Sequence, residues 1–165
     1  MSTETFTVVD FTDPAAGYRA LATQLQALLA HEHDLIANAA NTAALLFNAL
    51  PELNWAGFYF YRDGELVLGP FQGRPACVRI AMGRGVCGTA AERRATVVVP
   101  DVHAFPGHIA CDTASRSEIV VPLRMAGDAL LGVLDIDSPL PGRFGDVDRD
   151  GLERLAAVFM DSLRS

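Results

Sequence analysis

The 165-residue sequence contains no lysine; all thirteen of its basic residues are arginine. That absence removes the lysine of a Walker-type phosphate loop, Schiff-base catalysis and every other mechanism that needs a titratable ε-amine. Positive charge is also in short supply. Thirteen basic against twenty acidic residues leave a net charge of -7, and an acidic chain repels phosphate backbones and anionic lipid headgroups. Nucleic acid and membrane are therefore not expected partners. No apolar run approaches the ~20 residues that cross a bilayer, and the first six residues lack the positive charge and apolar stretch of an export signal. The expectation is a cytoplasmic protein. Three cysteines, an odd number without such a signal, do not make a disulfide framework. Any thiol role then falls to catalysis, redox exchange or metal binding.

What is present describes one domain over residues 1–165, half hydrophobic and a fifth charged, enough to form a core without metal or disulfide staples. Asp13-Pro14 reads as an N-cap and first turn, followed by Leu21, Leu25 and Leu28 on one helical face. A second helix is expected over about 34–50, stopped by Pro51. From Asn54 the pattern changes to an aromatic strand, the turn Asp63-Gly64 and a second strand at Leu66-Val67-Leu68, a hairpin signal. Residues 76–80 alternate like a half-buried strand, and the glycine-rich turn at Gly83-Arg84-Gly85 feeds a short helix near Thr89. Further strands are expected at 96–99, 118–123 and 130–137, with a long loop at 101–115. A last helix begins near Asp146 and turns Leu152, Leu155, Val158 and Phe159 inward. Hairpin connections between strands, two helices before them and one after predict an α+β fold with an antiparallel sheet covered by helices.

Three groups of residues carry chemistry. Cys111 lies in the long loop, within Gly107-His108-Ile109-Ala110-Cys111-Asp112; loops of that length are commonly functional, although a lone cysteine is more often a small buried apolar side chain. Cys77 and Cys87 are surrounded in sequence by arginines 74, 79, 84, 93 and 94. Cys87 also precedes the expected helix, and both features favour a thiolate. The third group is acidic: Glu118, Asp135 and Asp137 interrupt aliphatic strands. Asp135 and Asp137 are two apart and so share one side of the sheet. On a solvent side they are an ordinary polar face; in a pocket they bind a cation or donate a proton. A zinc site from the cysteines with His103 or His108 has the wrong spacing, so no metal is expected. His31 and His33 read as surface residues.

Taken together, Asn54-Trp55-Ala56-Gly57-Phe58-Tyr59, Leu68-Gly69-Pro70-Phe71-Gln72-Gly73, Gly83-Arg84-Gly85-Val86-Cys87-Gly88-Thr89-Ala90, the loop around Cys111 and Gly132-Val133-Leu134-Asp135-Ile136-Asp137-Ser138 resemble the free methionine-(R)-sulfoxide reductase family, enzymes built on a GAF domain. The resemblance runs from about the first helix to the last. It implies a GAF fold with a six-stranded antiparallel sheet flanked by helices, a homodimer and no cofactor. It also implies roles: Cys111 as catalytic thiol, Cys77 or Cys87 as resolving thiol, and Glu118, Asp135 and Asp137 holding the substrate's ammonium and sulfoxide. Trp55 and Tyr59 would wall the thioether end, and backbone amides near Ile109 and Ala110 would receive the carboxylate. The implied reaction forms a cysteine sulfenic acid and then a disulfide, which thioredoxin reduces. The competing expectation is a non-catalytic GAF module that binds a cyclic nucleotide or other small molecule, or senses redox state.

Overall fold

The computed structural model describes residues 6–108 and 113–164. Among the described residues the helices are α1 (Pro14–Leu28), α2 (Leu35–Ala49), α3 (Gly85–Arg93) and α4 (Asp146–Ser162). The strands are β1 (Trp55–Arg62), β2 (Glu65–Gly73), β3 (Arg79–Ala81), β4 (Val97–Val99), β5 (Ser117–Arg124) and β6 (Leu130–Ser138). They form one antiparallel sheet in the order β3-β2-β1-β6-β5-β4. No described helix is long and apolar enough to cross a membrane.

Local chemistry sets the element ends. The Asp13 side chain accepts the amide of Ala16 at the start of α1, and Asp34 accepts that of Ala37 at the start of α2; each satisfies a donor the helix leaves open. Asp63 (φ 50) and Gly64 (φ 86) both lie in the left-handed region, as a two-residue hairpin turn that follows strand twist requires. A register shift opposite Gly57 and Tyr59 makes a bulge in β2, which accommodates Pro70 without interrupting a ladder.

Two expected boundaries move. The strand expected at 76–80 is confined to Arg79–Ala81. The Val78 carbonyl does accept from the Leu68 amide, but the Cys77 carbonyl accepts from the Tyr59 hydroxyl, so this backbone serves a side chain on β1 instead of a continuous ladder. Helix α3 starts at Gly85, four residues ahead of Thr89, which places Cys87 inside the first turn. Gly88 allows α3 to lie against the end of β3, since a Cβ there would come within 2.5 Å of the Ala81 carbonyl oxygen.

Strand alternation divides the sheet into two faces. Ala56, Phe58 and Phe60 of β1, Ile119, Val121 and Leu123 of β5 and Leu134 and Ile136 of β6 pack with Leu21, Leu25, Leu46, Leu152, Leu155 and Phe159 from α1, α2 and α4. The opposite side chains, Trp55, Tyr59, Val120 and Val133, pack with Val86, Cys87, Ala90 and Ala91 of α3. The larger apolar cluster thus anchors a rigid sheet, and the site lies on the face under α3.

The start of α4 is tied down by Asp148. Its carboxylate accepts from the Gly145 amide, the Tyr18 hydroxyl at 2.7 Å and the Arg143 guanidinium at 3.0 Å, and the Arg143 and Asp148 side chains are 12% and 13% exposed. Breaking such a pair strands a charge away from water. Asp148→Ala is expected to lower unfolding stability by about 3 kcal/mol, whereas Arg124→Ala, which removes an exposed ion pair with Asp128, should cost less than about 1 kcal/mol. Urea unfolding of the two variants checks this; equal losses would contradict it.

Candidate active site

On the face beneath α3, period-two alternation on three adjacent strands brings together side chains far apart in sequence. Trp55 pairs with Asp137, Gly57 with Asp135, and Glu118 with Asp137 across the ladders. Their side chains therefore converge, and α3 closes over them with Cys87. They line a cavity of about 50 Å³, to which His108, Ser115 and Arg84 also contribute.

One wall is aromatic. Trp55 stacks on Phe71 with ring centroids 5.2 Å apart and on Tyr59 at 5.9 Å. Both polar tips are used to hold the rings: the Trp55 Nε1–H donates to the Arg74 carbonyl at 3.1 Å and the Tyr59 hydroxyl donates to the Cys77 carbonyl at 2.9 Å. Rings fixed at both ends present a rigid apolar surface to the cavity.

The floor is acidic and buried. Glu118 is 8% exposed and Asp135 5% exposed. The Cys87 thiol donates to Glu118 Oε1 at 3.9 Å, and Cys87, Glu118 and Asp135 each offer an atom within 4.8 Å of the others. Among the described residues Asp135 Oδ1 is buried without a hydrogen-bond partner. Burial, reinforced by the charges of Asp135 and Asp137, pushes the Glu118 carboxyl well above the usual carboxylate range. Burial also raises Asp135, with hydrogen bonds from Glu118 and Cys87 opposing the rise. Glu118 is therefore the member of the pair that keeps a proton. The three groups form a donor set for a cation, but Cys87 and Glu118 would each have to give up a proton to bind a metal.

The thiol environment differs from the sequence expectation. Burial and then Asp135, Glu118 and Asp137 push Cys87 up, towards the neutral thiol. The α3 N-terminus and the arginines that were expected to stabilise a thiolate are outweighed. Arg79 pairs with Glu65, and Arg94 donates to the Asp128 carbonyl; of the five arginines, Arg84 alone lines the cavity among the described residues. Cys87 is a free thiol, and Cys77 is disulfide-bonded. His108, expected at most as a metal ligand, contributes to the cavity instead and is pushed down towards neutral imidazole by burial and by His103.

The structure thus brings together Trp55, Tyr59, Cys87, Glu118, Asp135 and Asp137 from the expected set. Cys77 stands beside them through its carbonyl contact with Tyr59. Ile109, Ala110 and Cys111 lie outside the described residues. Sequence reasoning missed Arg84 and Ser115 as lining residues. The position of Arg84 between two glycines, directly before a helix, is the signal that points to it in retrospect.

A six-stranded antiparallel sheet with helices packed on it and a small cavity under α3 defines a GAF domain, and the profile of that domain family matches residues 37–163. The chain is 55% identical over 140 residues to the free methionine-R-sulfoxide reductase of Escherichia coli, covering 85% of this chain and 84% of that protein. It is 46% identical to the yeast protein of the same name, Saccharomyces cerevisiae, over 77% of this chain and 74% of that one. The X-ray structure of free methionine-R-sulfoxide reductase from Neisseria meningitidis in complex with its substrate superimposes with a TM-score of 0.90 at 44% identity, covering 96% of each chain. The chain belongs to the free methionine-R-sulfoxide reductase family of GAF-domain proteins.

The protonated carboxyl has a consequence for stability. A carboxyl whose folded pKa is raised binds its proton more tightly in the folded chain, so its contribution is fully present below the unfolded value of 4.5 and is lost as pH rises through the folded value. Glu118→Gln mimics the protonated form. Relative to the unsubstituted chain, its melting temperature should rise progressively as pH increases above 4.5; a difference that shrinks with increasing pH would contradict the assignment.

Proposed function

We propose that this chain reduces free L-methionine-(R)-sulfoxide to methionine, with Cys111 as the attacking thiol. The observation that carries the reading is the buried acidic floor: Glu118 protonated beside Asp135, whose Oδ1 has no partner. A free amino acid brings the ammonium that such a floor lacks. Trp55 and Tyr59 supply a fixed apolar wall for the methyl and thioether, and the amides near Ile109 and Ala110 donate to the carboxylate.

In this mechanism the Cys111 thiolate attacks the sulfoxide sulfur. This attack forms an S–S bond, and Glu118, kept neutral by burial, gives the sulfoxide oxygen a proton. The resulting hydroxyl passes to the Cys111 sulfur as the S–O bond to the substrate and the S–S bond break, so methionine leaves as the thioether and Cys111 becomes a sulfenic acid. A second thiol then displaces water to form a disulfide, and thioredoxin returns both cysteines to thiols at the expense of its own dithiol. A disulfide-bonded Cys77 and a free, buried Cys87 held in the neutral thiol form support Cys77 as the resolving residue. The working unit is proposed to be a cytoplasmic homodimer of single-domain subunits.

The acidic floor also supports selectivity. In peptide-linked methionine sulfoxide the α-nitrogen is an uncharged amide, which would leave desolvated carboxyls without their cation. A cyclic nucleotide, being anionic, meets the same obstacle, which counts against a nucleotide-sensing role.

Cys111→Ser is expected to abolish NADPH consumption in an assay coupled through thioredoxin and thioredoxin reductase, while the unsubstituted chain turns over free methionine-(R)-sulfoxide and leaves a peptidyl sulfoxide untouched. Normal turnover by the serine variant, or equal rates on free and peptidyl sulfoxide, would overturn the reading.

A further inference from the structure

We propose that Arg84 recognises the α-carboxylate of the substrate, so that the cavity reads a zwitterion by two opposite poles. This inference rests on the functional reading above and assigns the specificity of the same site. The negative pole is the floor, where Asp135 is 5% exposed and its Oδ1 has no partner. An unpartnered buried carboxylate oxygen calls for a cation in the cavity.

The positive pole is built at the start of α3. Arg84 occupies the N-cap position, its side chain makes no capping hydrogen bond, and the first turn of α3 carries no acidic residue. Among the described residues Arg84 enters none of the ion pairs. Arg84, Gly85 and Val86 line the same cavity as Glu118 and Asp135. The opening turn of a helix presents amide donors with no partner inside the helix and a partial positive charge, and here neither a capping side chain nor an acid answers it. His108, the other titratable base lining the cavity, is held towards its neutral form. Among the described residues Arg84 is thus the full positive charge that lines this site.

A free α-amino acid carries its ammonium and its carboxylate on the same carbon, so the two poles need to be close, as they are in one small cavity. Neutral main-chain amides accept a carboxylate and an amide carbonyl alike. A guanidinium separates the two, because its charge-assisted, bidentate hydrogen bonds are available only to the anion. Arg84 therefore supplies the discrimination between a free and a blocked carboxyl that backbone donors lack, just as the floor supplies it for the amino end.

The test uses the full chain with thioredoxin, thioredoxin reductase and NADPH, and compares L-methionine-(R)-sulfoxide with L-methioninamide-(R)-sulfoxide at about pH 6, where both keep a protonated α-amino group. Arg84→Gln should raise KM for the free acid about 10- to 100-fold with little change in kcat, as expected for loss of a charged hydrogen bond. It should leave kcat/KM for the amide nearly unchanged, and Arg84→Lys should recover part of the loss. An acid-to-amide ratio that stays at the unsubstituted value, whether neither substrate or both substrates are affected, would overturn the proposal. An unsubstituted chain that reduces neither compound would instead overturn the functional reading; calorimetric binding of free methionine against methioninamide, with the same expected change of ratio in Arg84→Gln, would then decide the role of Arg84 independently.

Discussion

Carboxyl groups buried with no ion pair among the described residues are the constraint around which this domain is organised. Glu118 and Asp135 are almost inaccessible, share a small cavity with a thiol, and include an oxygen with no partner. Desolvation is more costly for the ionised form than for the neutral acid, and two such groups in contact do not both ionise. One proton is consequently retained at Glu118, and the neighbouring Cys87 is pushed towards its neutral thiol by the same burial and the same acids. A site of this kind is poised to accept a cation and to give a proton, which are the two requirements of reducing a zwitterionic sulfoxide.

The fold makes that costly arrangement tenable. The acids project from central strands whose other face is packed by three helices, so the carboxyls are held by a sheet that cannot easily relax towards water. The aromatic wall is pinned through the Arg74 and Cys77 carbonyls, and the segment 74–77 lies outside the ladder while providing those anchors. The Tyr18, Arg143 and Asp148 network secures α4 to α1 far from the chemistry. Stability is concentrated on one face and unsatisfied polarity on the other, the separation expected when a domain keeps a local weakness for function.

Much of this architecture was legible in the sequence where local rules act alone. Asp13 and Asp34 marked the starts of α1 and α2, Pro51 marked the end of α2, and Asp63-Gly64 marked the hairpin. Period-two spacing also put Asp135 and Asp137 on one side of the sheet, but it left open whether that side was solvent or cavity, because the answer depends on where α3 packs. The same limitation explains the error at Cys87. Its sequence neighbours are arginines, whereas the groups that govern it are acids on β5 and β6, with Glu118 already 31 residues away. At 76–80 the alternation of Val78 and Ile80 resembled a full strand, and only the tertiary contact of Tyr59 with Cys77 revealed why half of it is not. The individual roles of Trp55 and Tyr59 were accessible only through the family resemblance, since apolar aromatic residues on a strand read first as core.

The central claim is that Glu118 holds a proton beside an ionised Asp135 and keeps it when the ammonium binds, so that it can be given to the sulfoxide oxygen. Its most direct measurement is calorimetric titration of the Cys111→Ser chain with free methionine-(R)-sulfoxide at neutral pH, in buffers that differ in ionisation enthalpy. The account predicts binding with no net exchange of protons. Release of about one proton on binding would contradict it.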